Sequence, residues 1–292
     1  MSWHLSNLSA FDVESSGVSV DDDRIVSATV AHVRPGEQTE VASHLIAVDV
    51  DIPAQAAEVH GITTEYARAN GKPAAEVLEL VAAHLTELQA NGIPVIAMNA
   101  SFDLTMLDRE LRRHGLPTLE ARLGRPVGPI VDVLLIDKHI DRFRKGSRRL
   151  VDMAAHYAVK LDDAHNATED ALAAARIAYR LAQRGALALA HPEQVAEMYR
   201  DRRYPMELVR NFQAFGRLSL VELHAAQVGW AAEQAEGLAR FWLRQANDLQ
   251  HQAERASDDA ERETALADAE ELRQRADGVS TEWPVRSFGG AR

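Results

Sequence analysis

The first strand pattern of the chain lies in the stretch LSAFDVESSG, residues 8–17, which carries two acids, at positions 12 and 14. Residues 8–13 form a short apolar run, which predicts a buried strand. Asp12 and Glu14 stand two positions apart at its end, so both side chains project to one face of the sheet. Neighbouring carboxylates repel each other unless a cation neutralises them, and magnesium prefers carboxylate oxygen. The stretch predicts a strand ending in a metal site, although alone it also fits a pair of exposed acids.

The segments that follow predict an α/β protein with a mixed sheet flanked by helices. Strand patterns at 24–33 and 44–50 would complete a meander with the first strand. Later segments alternate between the apolar spacing of helices and the apolar runs of strands. Helices are predicted at 73–89, 101–114, 150–157 and 168–184, and strands at 93–98 and 130–135. Thr168 is the expected N-cap of the last helix.

The remainder of the chain has no strand pattern and predicts an all-helical C-terminal extension. A helical pattern runs from about 219 to 276, and residues 257–259 could turn the chain into a returning helix. We therefore expect a catalytic domain at 1–185 and a helical hairpin within 186–292. Because the heptads are irregular, a helix packed on the catalytic domain is favoured over a coiled coil that binds a partner.

Composition excludes several classes of protein. The chain has no cysteine, so disulfides, thiolate nucleophiles and cysteine zinc sites are absent. No phosphate-binding loop, Gly-x-Ser-x-Gly elbow or histidine pair at zinc-protease spacing occurs. The start of the chain does not have the pattern of a signal peptide, and no apolar run is long enough to span a membrane. A cytoplasmic protein that does not contact membranes is expected.

The formal net charge of −12 argues against a protein that coats nucleic acid. An enzyme that holds one chain end needs only a local basic patch, and residues 142–149 supply five cations within eight positions. The sequence alone fits a nucleic-acid contact and a solvated charged loop equally well.

Two later segments add carboxylates at the ends of predicted elements. Asp103 follows the strand at 93–98, where the chain turns into a helix. Asp170 falls in the first turn of another helix, and His165 lies on the loop before it. Histidine has an unperturbed pKa of about 6.5, which suits a general base at neutral pH.

Three segments, at 12–17, 99–103 and 165–170, resemble in order the three exonuclease motifs of the DEDDh family, which includes proofreading subunits of bacterial DNA polymerase III. The resemblance covers about 8–184, including 59–63, which is similar to a loop bordering the family's nucleotide pocket. It implies a ribonuclease-H-like fold, a two-metal site, and hydrolysis that releases nucleoside 5′-monophosphates from a 3′ end. Ser15 and Ser16 stand where the family more often has threonines, and they keep the hydroxyl.

The resemblance also implies a role for each residue of the site. Two Mg²⁺ ions, for which Mn²⁺ would substitute, would be held by Asp12, Glu14, Asp103 and Asp170, with Asp103 acting directly or through water. His165 would be the general base. The pocket for the terminal nucleotide would be shaped by Ser15, Gly17, Val59, His60, Asn99 and Phe102. Asp132 is interpreted as structural or as a residue that supports the metal ligands, since the site already has four carboxylates.

The leading hypothesis is a 3′-to-5′ exonuclease acting on single-stranded or frayed DNA, in replication, proofreading or repair. A relative that trims RNA is an alternative, because the same residues serve both sugars. Another alternative is an accessory subunit that docks on a polymerase or repair complex through its C-terminal helices.

Overall fold

The structure is a computed structural model that describes residues 3–161, 166–256 and 258–287. It divides into two compact units, one ending at Gln227 and the other beginning at Val228. The boundary falls inside a long helix, and each unit is described by itself below. The division of the chain at residue 185 into a catalytic domain and an extension stays a prediction, because it concerns function as well as contacts.

The first unit contains a six-stranded mixed sheet in the order β4-β3-β2-β1-β5-β6, which confirms the predicted fold class. The strands are β1 Leu8–Ser15, β2 Ile25–Val33, β3 Glu40–Ala47, β4 Lys72–Pro73, β5 Val95–Ala97 and β6 Ile130–Asp132. β1 pairs antiparallel with β2 and parallel with β5, and β5 pairs parallel with β6. The strand that carries Asp12 and Glu14 is therefore central, with neighbours on both sides.

The helices flank the sheet and form the C-terminal part of the chain. They are α1 Ala54–His60, α2 Thr64–Asn70, α3 Ala74–Ala90, α4 Ala100–Arg113, α5 Leu119–Leu123, α6 Val133–Ile140, α7 Leu150–His156, α8 Ala167–Ala190, α9 Pro192–Met198, α10 Pro205–Arg217, α11 Leu220–Arg255 and α12 Asp259–Asp277. A 3₁₀ turn at Trp3–Leu5 precedes β1.

The structure corrects two predicted element boundaries. Residues 133–135 belong to a helix instead of a strand, because the Asp132 carboxylate accepts from the Leu134 and Leu135 N–H groups and starts α6. Asn166, and not Thr168, is the N-cap of α8, and its side chain accepts from Thr168 N. In both places a polar side chain that bonds to nearby backbone decided where the helix begins.

Helix α8 brings the third motif to the sheet. It packs across β1 and β2, and its buried face is built largely from alanines, among them Ala171, Ala174 and Ala178. Small side chains allow the helix axis to lie close to the strands. The first turn of α8, which contains Asp170, consequently lies beside the end of β1.

The start of α11 covers the exposed edge of the sheet at β6. Gln227 is fully buried, accepts from Asp132 N at 2.8 Å and donates to Ile130 O at 2.8 Å. His224 Nδ1 accepts from Ile130 N at 3.2 Å. These side chains satisfy backbone groups that a further strand would otherwise pair, so they protect the edge.

The second unit consists of the rest of α11 together with α12 and the segment after it. Ala246 and Ala253 of α11 and Ala265 and Ala269 of α12 are buried, and Arg273 of α12 hydrogen-bonds Gln250 of α11. The predicted helical character of this region is confirmed. Among the described residues, no helix combines the length and apolarity needed to cross a bilayer.

Candidate active site

Three carboxylates converge where β1 meets the first turn of α8. One oxygen from each of Asp12, Glu14 and Asp170 can be chosen so that all three lie within 4.8 Å of one another. Asp12 and Glu14 share a face because they are two positions apart on a strand, and α8 brings Asp170 to the same face. In the part of the chain that the structure describes, this is the one group of three such residues with this spacing.

Asp103 approaches from α4 but lies outside this group of three. It is buried, with 3% of its surface exposed, and its Oδ1 accepts from Val13 N at 3.3 Å. Its Oδ2 is buried without a hydrogen-bond partner among the described residues. The hydrogen bond fixes the carboxylate against the backbone between Asp12 and Glu14, while one oxygen stays available for another ligand.

The pKa values of these acids are raised, first by burial and then by their mutual repulsion. Burial raises the pKa of Asp12 well above its usual range, and Asp103, Glu14 and Asp170 raise it further. Burial, followed by the charge of Asp170, raises the pKa of Glu14 to about 8. Burial also raises the pKa of Asp103, against hydrogen bonds from the backbone that lower it. No lysine or arginine forms an ion pair with Asp12, Glu14 or Asp103 in the described ranges.

The donor set fits a hard divalent cation. Carboxylate oxygens are the preferred ligands of magnesium and manganese, and the unpartnered oxygen of Asp103 adds a further donor beside the group of three. A bound cation would supply positive charge beside these carboxylates and would lower the pKa of each acid. The residues therefore fit a divalent metal site.

Asp132 holds the backbone that carries the second motif. Its carboxylate is 3% exposed and accepts from Asn99 N at 3.2 Å and from Ala100 N at 3.0 Å, at the start of α4. Asn99 has a φ of 71°, a conformation that non-glycine residues rarely adopt. Asp132 thus caps α4 as well as α6 and orients the turn before Asp103, in agreement with its interpretation as structural.

The residues after Glu14 form a tight turn closed by Asp23. Ser16 Oγ donates to Asp23 Oδ1 at 3.0 Å and accepts from Arg24 N at 3.0 Å. A Cβ at Gly17 would lie 2.4 Å from the Asp23 carboxylate, so any other residue there would displace this carboxylate. Ser15 Oγ donates to Gly17 O at 2.7 Å. The structure gives Ser15 and Gly17 a role in this turn, and their role in substrate binding stays a prediction.

A cavity of about 480 Å³ lies beside Glu14, which we call the terminal pocket. Val59 and His60 line it, whereas Ser15, Gly17, Asn99 and Phe102 are not among its lining residues, and the role of these residues in substrate binding stays a prediction. Ile62 N donates to His60 Nδ1 at 3.2 Å, so the neutral imidazole carries its proton on Nε2. The volume is within the range of small-ligand pockets.

Sequence reasoning missed several residues of the terminal pocket. Ser27 lies opposite Glu14 in the β1–β2 register, and Ser43 hydrogen-bonds Thr29 on the same face. Tyr66, which is 55% exposed, and Asn166 complete the wall. No local signal marks these residues, because strand register and helix packing bring them together. His165, the expected general base, lies outside the described residues.

The basic run at 142–149 is partly internal. Arg144 and Arg148 both donate to Asp137 Oδ2, at 2.9 Å and 2.7 Å. Arg149 is exposed and pairs with Asp152. At least two of the five cations therefore stabilise the fold, which weakens the nucleic-acid interpretation of this run.

Comparison with known proteins gives the family. Residues 9–178 match the exonuclease family RNase_T. The match spans more than half of the chain, and the chain belongs to this family. The prediction of a DEDDh-type exonuclease domain, a phosphodiester hydrolase, is confirmed.

Relatives by sequence include the DNA polymerase III PolC-type proteins of two bacteria. The one from Clostridium perfringens (strain 13 / Type A) is 27% identical over 168 residues, covering 57% of this chain and 10% of that protein. The one from Streptococcus thermophilus (strain ATCC BAA-491 / LMD-9) is 27% identical over 173 residues, covering 58% and 11%. The chain thus spans about a tenth of the length of these relatives.

Solved structures of exonuclease I share the fold. One superposes with a TM-score of 0.53 at 18% identity, covering 67% of this chain and 44% of that one. A zinc-bound complex of the E. coli enzyme with single-stranded DNA gives 0.53 at 17% identity, covering 69% and 44%. At these identities the likeness concerns the fold alone.

Proposed function

We propose that this chain removes nucleoside 5′-monophosphates from the 3′ end of single-stranded or frayed DNA. The observation that carries the proposal is the convergence of Asp12, Glu14 and Asp170, with one oxygen from each within 4.8 Å of the others. The raised pKa of Glu14, about 8, supports it, since burial followed by the charge of Asp170 shifts this acid and strongly shifted acids cluster at functional sites. The DNA preference is supported by relatives of this fold that bind single-stranded DNA oligonucleotides.

In this proposal the carboxylates would hold two Mg²⁺ ions, and Mn²⁺ would substitute. Asp12, Glu14 and Asp170 supply the converging oxygens, and Asp103 adds its unpartnered Oδ2. Two such ions stabilise the negative charge that develops on a phosphodiester during in-line displacement. The bound cations would then supply the positive charge that stabilises the phosphodiester.

The chain's own residues would bind and orient the substrate. The terminal nucleotide would occupy the terminal pocket beside Glu14, against Val59 and His60. Phe102, Asn99, Ser15 and Gly17 would contact it from the opposite side. His165 would accept the proton of the attacking water as general base, and a base in this role contributes about 10²–10⁴-fold to the rate.

Digestion of 5′-labelled single-stranded DNA and RNA of equal sequence tests the proposal. The wild type should produce a ladder that shortens from the 3′ end with added magnesium, and DNA should be cut faster than RNA. Asp12→Ala should abolish the ladder, and His165→Ala should weaken it greatly. Asp248→Asn removes an exposed carboxylate from α11 and serves as the control for charge. Absence of cleavage by folded wild-type protein would refute the enzyme, and faster cutting of RNA would refute only the preferred sugar.

The second candidate is an accessory role in a polymerase or repair complex. It is supported by Leu238 and Phe241 of α11, which are 43% and 46% exposed and lie three positions apart on one helix face. Changing both to glutamate should leave the nuclease rate unaltered and abolish co-purification of a partner. If the partner still co-purified with this variant, Leu238 and Phe241 would no longer support an accessory role.

A further inference from the structure

A second and larger cavity, of about 870 Å³, lies at the opposite end of the same sheet face. We call it the distal groove. It is bounded by the start of β1, the end of β2, residues 158–160 and the middle of α8. Its apolar floor includes Leu8, Val33 and Val41, and nothing in the DEDDh motifs accounts for it.

The distal groove is cationic in an acidic protein. The chain has 44 acids, yet none of the described residues that line this groove is Asp or Glu. Lys160, Arg176 and Arg180 stand around it. Arg180 hydrogen-bonds Gln183, and Arg176 donates to Lys160 O at 3.3 Å and has a long ion pair, 3.8 Å, with Glu169. Guanidinium groups so weakly compensated attract an anionic ligand.

An aromatic side chain adds a second kind of contact. Tyr179 is 36% exposed and lines the groove, and its ring packs against His4 with centroids 5.3 Å apart. The Tyr179 ring, held by His4, could stack on a flat apolar face of a ligand, and the neighbouring cations could bind its negatively charged groups. Single-stranded nucleic acid has both, and proteins bind it with basic grooves and stacking rings.

The distal groove and the terminal pocket share one floor. Along β1, Leu8 and Glu14 point to the same face because they are six positions apart. Val33 lies opposite Leu8 and Ser27 lies opposite Glu14; on β3, Leu45 lies opposite Ser27, and Val41 lies opposite Ala31, two positions from Val33 on the same face. The two cavities are therefore about 20 Å apart along the same strands. Helix α8 covers this face on β1 and β2, whereas on β3 Val41 is 41% exposed and Ser43 is also exposed, so a strand whose 3′ end occupied the terminal pocket could extend over β3 to the groove.

We propose that the distal groove binds the part of a single-stranded nucleic acid that lies on the 5′ side of the terminal nucleotide, through Lys160, Arg176, Arg180 and Tyr179. This inference rests on the proposed function for the placement of the 3′ end. It predicts that affinity grows with the length of the substrate until the strand reaches the groove.

Binding can be measured separately from cleavage in the full chain carrying Asp12→Asn. Fluorescence anisotropy would follow 5′-labelled thymidine dinucleotide and dodecanucleotide. Adding Arg176→Gln and Arg180→Gln should weaken binding of the dodecanucleotide by about tenfold and that of the dinucleotide far less. The slope of log K against log salt should become shallower by about 1.4, that is about 0.7 for each of two phosphates.

Matched variants control for net charge and for folding. Arg210→Gln with Arg217→Gln removes two exposed arginines from α10 and should not alter either affinity. Tyr179→Ala should weaken binding of the dodecanucleotide by about fivefold or more, because a stacked base is lost. Tyr179→Phe keeps the ring and should restore it.

Three outcomes would overturn the inference. They are equal affinity for the two lengths, an equal loss for both lengths in the arginine variant, and preferential binding of an acidic peptide that depends on Arg176 and Arg180. Binding that depends on length and on these arginines, in a wild type that cleaves neither DNA nor RNA, would support the groove while refuting the proposed nuclease. The experiments therefore distinguish a refuted distal-groove proposal from a refuted nuclease proposal.

Discussion

Two clusters of buried acids in the first unit differ in how their charge is compensated. Asp137 is fully buried and accepts from Arg144, Arg148 and the Tyr157 hydroxyl, the last at 2.6 Å. Asp12 and Asp103 have no ion pair to lysine or arginine among the described residues, and burial raises the pKa of both. A compensated acid holds the fold together, whereas uncompensated acids that face each other are poised to bind a cation.

The comparison implies opposite responses to the same substitution. An amide in place of a carboxylate removes repulsion at the first cluster and removes an ion pair at the second. Activity should depend on the uncompensated cluster and stability on the compensated one. The predictions below run from the largest expected effect to the smallest.

Asp12→Asn should lower kcat/KM by about 10³-fold or more, since a group that holds the charge-stabilising ions is lost. Its free energy of unfolding without divalent metal should not decrease, because one of four repelling acids becomes neutral. Rates on labelled single-stranded DNA and urea denaturation measure the two quantities. Activity within tenfold of the wild type would contradict the assignment of Asp12.

Asp137→Asn should lower the free energy of unfolding by about 3–5 kcal/mol, because the buried Arg144 and the half-buried Arg148 lose their partner. The matched control is Asp152→Asn, which breaks the exposed pair with Arg149 and should lower the free energy of unfolding far less. Urea denaturation of both variants gives the comparison. Equal losses in the two would show that the buried cluster is not what holds α6 and α7 together.

Asp132→Asn should lower kcat by about 10–100-fold in protein that is still folded, as found for groups that orient the ligands of a metal. The reason is that the carboxylate orients Asn99 and Ala100 at the start of α4, ahead of Asp103. Asp132→Glu, which keeps the charge, should recover part of the rate. A fall in stability with unchanged kcat would restrict Asp132 to a capping role.

His156→Phe should make the fold less sensitive to acid. Between pH 7 and pH 5, the Tm of the variant should fall by about 3 °C less than the Tm of the wild type. Burial, aided by Arg184 and Arg144, lowers the pKa of His156 to about 4. Between about 4 and the ordinary value of 6.5 the unfolded chain binds more protons, so stability is full above 6.5 and falls as pH drops through this range. Identical melting curves for variant and wild type across this range would refute the contribution of His156.

Much of the fold and of the candidate site follows from local patterns. The period of two at the start of the chain placed Asp12 and Glu14 on one face, and the order of the three motifs predicted the family before any coordinates. Residues 133–135 show the limit of this reasoning. Their apolar run fits a strand or a helix equally well, and the Asp132 side chain decided in favour of the helix by capping it.

The sequence by itself determined which residues carry chemistry, because carboxylates at strand and helix ends are visible in the order of the chain. Only the tertiary structure decided which charges are compensated. Arg144 and Arg148 looked available for nucleic acid until folding placed them on Asp137, and Arg176 and Arg180 drew no notice until α8 placed them beside β2 and β3. The physical reason is that compensation depends on distances between residues far apart in sequence, and strand register and helix packing set those distances.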